Sequence, residues 1–116
     1  MQLTKNFTRE EFACKCGCGF NTVDYEMVFL LQDLRDYWDK PVTITSGCRC
    51  EKHNVKVGGH YNSGHLRAEA IDFYVKDISP TKIHNWIDSK YPDRYKLGNG
   101  KDFTHWGLGT KARWIY

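Results

Sequence analysis

Three residues have the types and the setting from which metal chemistry could be built: His65, Asp72 and His105. The first two lie in the stretch NSGHLRAEAIDF, Asn62 to Phe73. As a pair they say little. The chain holds five histidines and fourteen acids, so chance pairs abound. A loop histidine beside a strand aspartate, each bonded to backbone groups, would look the same. The neighbours shift the balance. Asp72 stands between Ile71 and Phe73, where a carboxylate is costly unless it is paired or meets a cation. His105 stands in a second strand-like run, flanked by Phe103 and Trp106. A hairpin beside the Asp72 strand would bring it to the same face. Two imidazoles and a carboxylate, with a fourth position open, are the usual protein ligands of a catalytic zinc. That donor set suits zinc better than magnesium or calcium.

Periodicity predicts the elements that must position these residues. From Asp24 to Trp38, Met27, Leu30, Leu31, Leu34 and Trp38 recur at helical spacing, and Pro41 stops the run. PVTITS alternates Val42 and Ile44 with threonines, the pattern of a half-buried strand. GCRCEKHNVKVGG predicts a turn and a short helix closed by Gly58 or Gly59. Ala70 to Val75 predicts a strand with Ala70, Asp72 and Tyr74 on one face and Ile71, Phe73 and Val75 on the other. Ser79 and Pro80 open a helix as N-cap and first residue, with Ile83, Trp86 and Ile87 as its buried stripe. A turn is expected at Gly98 to Gly100, between two short strands of which the second is DFTHWGL, and ARWIY is a last strand. Ahead of all these, Thr8 and Glu11 have capping-box spacing, and ACKCGCGFN reads as a Cys/Gly loop. No repeat or linker divides the chain, so one domain over residues 1–116 is expected. Its class is α+β, a small mainly antiparallel sheet with helices packed on it.

Composition excludes several classes. A 41% hydrophobic fraction with 15% aromatics is that of a folded protein, not a disordered one. No apolar run approaches the roughly 20 residues of a membrane span. A net charge of +3 without a dense basic run, or an aromatic-plus-basic module, argues against nucleic acid as a partner. The start MQLTKNFTREEF lacks the apolar core of a signal peptide, so synthesis in the cytoplasm is expected. Action outside would then need release by another agent.

Taken together, TITSGCRCEKHN, VGGHYNSGHLRAEAIDF and FTHWGLGTKARWIY resemble the zinc peptidases of bacterial cell-wall metabolism. That group holds D-Ala-D-Ala carboxypeptidases, D-Ala-D-Ala dipeptidases and phage L-alanyl-D-glutamate endolysins, and the hedgehog signalling domain shares its fold. Ser63, His65, Ala70 and Asp72 match the family pattern, and His105 follows Phe103 as its late histidine does. The resemblance runs from about Asn6 to Tyr116. It implies that His65, Asp72 and His105 hold Zn²⁺ and that a water in the fourth position attacks a peptide carbonyl. It implies that Arg49, after TSG, binds a substrate carboxylate and assists catalysis, with Ser63 beside it. Asp102 takes the place of a glutamate that serves many relatives as general base. Two further positions depart from the pattern: Ala68 stands where a glycine is usual, and Gly107 where many relatives carry an aspartate. His60 is expected near the cleft, His53 in a structural role and His84 on a solvated helix edge.

Five cysteines remain. Cys14, Cys16 and Cys18 form a C-x-C-x-C run, and Cys48 and Cys50 flank Arg49. Three readings stay open: free thiols, one or two disulfides tying the two clusters, or a structural zinc held by several thiolates. Zinc sites more often use C-x₂-C spacing. The two clusters are expected to lie close together.

The function expected from the whole is a monomeric zinc metallopeptidase that cuts a peptidoglycan stem-peptide bond involving a D-amino acid, of L-Ala-D-Glu or D-Ala-D-Ala type. A phage or prophage origin, with release by a holin or carriage in a virion, fits the small size. Two other readings are a wall-binding or phage structural module that keeps the zinc fold without hydrolysis, and a cysteine-rich zinc interaction module.

Overall fold

The computed structural model describes residues 1–116. Five strands form one sheet: β1 (Val42–Ser46), β2 (Ala70–Val75), β3 (Arg94–Asn99), β4 (Thr104–Thr110) and β5 (Ala112–Ile115). Three helices accompany them: α1 (Tyr25–Trp38), α2 (Glu51–Lys56) and α3 (Pro80–Lys90). The strand order is β1-β2-β4-β3-β5. Every neighbouring pair is antiparallel except β3 and β5, which run parallel. The class is α+β, as the pattern of the sequence predicts.

Local chemistry sets the helix ends. Asp24 caps α1 by accepting the Glu26 N–H at 2.9 Å. The helix stops at Asp39, which turns left-handed at φ 50° two residues before Pro41. Ser79 caps α3 through the Lys82 N–H, with Pro80 in the first helical position, where its missing N–H costs nothing. Thr8 and Glu11 form a reciprocal capping box.

The core lies between α1, α3 and one face of the sheet. From α1 come Met27, Val28, Leu30, Leu31 and Leu34, and from α3 Ile83 and Ile87. The sheet adds Ile44, Ile71, Phe73, Val75, Leu97 and Trp106. Each fully buried large apolar side chain contributes roughly 2–3 kcal/mol. Because strand side chains alternate, the residues between these in sequence face the other way. That second face carries the site. No helix is long and apolar enough to cross a membrane.

One expectation fails here. Gly98 and Asn99 belong to β3, and the turn comes after them, where the Gly100 N–H donates to the Phe103 carbonyl at 3.0 Å. The Gly-Asn-Gly signal is local, and ladder pairing on both sides of Gly98 overrides it. A Cβ on Gly98 would come within 2.6–2.7 Å of the Tyr116 and Trp114 rings. This glycine lets aromatic rings lie on a strand; it does not turn the chain.

Candidate metal centre

One row of paired residues crosses the sheet. Ser46 pairs with Asp72, Asp72 with His105, His105 with Gly98, and Gly98 with Trp114. Residues directly opposite on neighbouring strands point to the same face. The row thus sets a carboxylate beside an imidazole, and a bare glycine beside a tryptophan. The Trp114 ring leans across that gap to 5.3 Å from the His105 ring.

His65 reaches the row from outside the sheet. It sits in a short 3-10 turn, Gly64–Arg67, capped by Ser63, whose hydroxyl accepts the His65 N–H at 3.2 Å. Its Nδ1 lies 2.7 Å from the Gly47 carbonyl oxygen. A carbonyl only accepts, so Nδ1 carries the proton and Nε2 presents a lone pair. That Nε2 lies 3.3 Å from Asp72 Oδ2, yet it is buried and has no hydrogen-bond partner. The distance is short but the alignment of a hydrogen bond is missing, so the atom is an orphan. His105 Nδ1 lies 2.8 Å from Asp72 Oδ1. One donor atom from each of His65, Asp72 and His105 falls within 4.8 Å of the others.

This is where a cation would fit. A buried lone pair facing a carboxylate is unfavourable without a proton or a metal between them. Burial pushes the Asp72 carboxyl up, but its bond to His105 and the closeness of the His65 imidazole outweigh this and hold it well below the usual carboxylate range. The group therefore offers a charged carboxylate and two imidazoles, one of them held in its tautomer by the Gly47 carbonyl.

The three residues lie in a cleft of about 520 Å³. Arg49 and Ser63 also line it. Arg49 is held on three sides: Nε donates to Ser46 Oγ at 3.0 Å, Nη1 to Asn54 Oδ1 at 3.1 Å, and Nη2 to Asp72 Oδ2 at 3.3 Å. Asp102 is exposed on the turn before β4 and does not line the cleft, where Asp72 is the only carboxylate. His60 lines it, whereas His53 and His84 do not.

Sequence reasoning missed Lys96, Trp114 and Tyr116 on the cleft wall, and Asn54 behind it. Trp114 in β5 and Tyr116 just beyond its end are two residues apart and both line the cleft, which the alternation in ARWIY could have signalled. Asn54 is buried and ties Arg49 to the His60 carbonyl, to which its Nδ2 donates at 2.9 Å. The two departures from the family pattern take on a physical meaning. Ala68 stands left-handed at φ 59°, a conformation that costs a non-glycine residue roughly 1 kcal/mol. Its methyl in turn packs with Cys14 and Cys48. At Gly107 a Cβ would lie 3.5 Å from His105 Nε2, so a carboxylate there would face the ring's outer nitrogen.

The cysteines do cluster. Cys14 Sγ lies 3.5 Å from that of Cys16 and 3.9 Å from that of Cys50, and Cys16 and Cys50 are 3.6 Å apart. Cys18 completes a group of four within 4.8 Å. Cys48 is not one of the four; it is buried, its Sγ 3.3 Å from both the Phe12 and Phe20 carbonyls, one of which its single S–H can serve. No two of the five are joined in a disulfide.

Against known proteins, a family model described as Peptidase M15 matches residues 5–107. No curated protein matches the chain.

Proposed function

The chain belongs to the peptidase M15 family, whose members are zinc-dependent, and from that premise we propose that it cleaves a peptidoglycan stem peptide at a bond involving a D-amino acid. In this reading His65, Asp72 and His105 hold zinc. The ion supplies polarisation of a peptide carbonyl and acidification of water. The supporting observation is the orphaned, buried Nε2 of His65 beside Asp72 and His105.

The chain's own residues do the rest. The Gly47 carbonyl keeps His65 in the ligating tautomer. Arg49, anchored by Ser46 and Asn54, presents a guanidinium edge to the cleft, where it binds a carboxylate of the stem peptide. Lys96 adds a second positive charge, and Ser63 a hydroxyl. Trp114 and Tyr116 give the peptide an apolar wall. Asp102, the residue expected as proton acceptor, lies outside the cleft on the exposed turn before β4, so in this reading it would serve the attacking water only if that turn moved.

Mass spectrometry of purified peptidoglycan digested by the zinc-loaded protein tests this. New amine termini at D-Glu, or released D-Ala, are expected, and Asp72→Ala should yield neither. Undiminished products from a zinc-free Asp72→Ala protein would refute the reading.

A second reading draws on one observation, the absence of any carboxylate but Asp72 from the cleft wall. It makes the chain a wall-binding module without hydrolysis. Stoichiometric zinc and retention on the wall, with no new termini, would favour it.

A further inference from the structure

We propose that Cys14, Cys16, Cys18 and Cys50 form a second metal site, an all-thiolate tetrahedral cage for zinc that is structural and separate from the cleft. The sulfur spacing carries the argument. Four sulfurs about 2.3 Å from a central zinc lie about 3.8 Å from one another in a tetrahedron. The three closest pairs here measure 3.5, 3.6 and 3.9 Å, and the fourth sulfur lies within 4.8 Å of each. A disulfide would bring one pair to about 2.05 Å and leave the others unconstrained. Thiols alone are weak donors and acceptors, and nothing in their mutual hydrogen bonding accounts for gathering four of them.

The backbone supports the same assignment. The Cys50 N–H points to Cys14 Sγ at 3.5 Å and the His53 N–H to Cys50 Sγ at 3.4 Å. Amide donors aimed at sulfur are what a coordinating thiolate receives from its outer shell. Two ligands, Cys16 and Cys18, are exposed, so the site has an entry path.

The cage also has a place in the architecture. It joins the N-terminal loop to the segment Gly47–Cys50. Within that segment the Gly47 carbonyl orients His65, the Cys48 N–H bonds to the Phe12 carbonyl, and the Arg49 N–H bonds to the His65 carbonyl at 2.9 Å. The ion at the cysteines would hold the loop on which two contacts of the cleft depend.

The test needs no catalysis. The full chain, purified under reducing conditions, should carry about two zinc ions, and His65→Ala about one. Cobalt exchanged into His65→Ala should give intense thiolate-to-cobalt charge-transfer absorption. In the native zinc-loaded chain these four thiols should resist alkylation until a chelator is added. Cys16→Ser with Cys50→Ser should lose the charge-transfer band, but because that variant can fail to fold, the native chain decides. A zinc-free His65→Ala protein, a cobalt protein without the thiolate band, iron in place of zinc, or freely alkylated thiols in the native chain would each overturn the proposal.

Discussion

The His65–Asp72–His105 group and the four-cysteine group are both sets of side chains that could ligate a metal, but the fold assembles them differently. In the first, Asp72 and His105 face each other across hydrogen-bonded strands, and the Gly47 carbonyl fixes His65. In the second, every ligand lies on a loop or just ahead of the six-residue α2, and no ladder holds the sulfurs in place. On the proposed assignments the first site is organised by the protein, and the second would be organised by its ion. Removing metal from the first should silence chemistry and leave the fold. Removing it from the second should loosen the fold.

The largest expected effect is that of Asp72→Ala, which should reduce peptide release to background while the melting temperature moves by only a few degrees. Wall digestion alongside thermal melting checks it, and a large loss of stability would erase the contrast. Next comes Cys16→Ser. We expect a loss of about 3 kcal/mol, on the order of 10 °C in melting temperature, measured by calorimetry with matched zinc. Arg49→Lys keeps a charge but loses the three-sided anchorage, and it should lower activity or cleft-zinc affinity by about 10- to 100-fold. Competition with a calibrated chelator separates the two.

A gain is expected at Gly107→Asp. Its carboxylate would accept from His105 Nε2 and raise zinc affinity in the cleft by about tenfold, with the cysteine site unchanged. The smallest effect belongs to a contact remote from both sites. Tyr95 donates to Glu26 at 2.7 Å, and burial together with that carboxylate pushes its hydroxyl up to about 12. A phenol whose folded pKa is raised contributes stability that is complete below its unfolded value of about 10 and is lost as pH rises through about 12. Tyr95→Phe should remove about 1 kcal/mol and flatten that alkaline decline, whichever metals are bound. Denaturant melts between neutral pH and pH 11 show whether it does.

Much of the metal centre was legible because strand alternation is a local signal. It put Asp72 on the face opposite Ile71 and Phe73, and so asked for a partner. The pairing of Asp72 with His105 was not legible, since register between strands 33 residues apart is set by tertiary packing. Gly98 was misread because its turn propensity is local and the sheet overruled it. Trp114 and Tyr116 escaped notice because β5 joins the sheet by parallel pairing with β3, which no feature of ARWIY announces. The cysteines were legible in one respect: the two clusters were expected to lie close, and Cys50 does meet Cys14 and Cys16. Spacing along the chain left their chemistry open, because it does not say which cysteine of the second cluster joins the first.

The most direct measurement is peptide release from purified wall by His65→Ala protein whose cysteine site is full of zinc. If the cleft holds the working ion, this protein stays folded and zinc-bound yet releases no new peptide termini, while the native chain under the same conditions does. Release at the native rate would contradict that assignment.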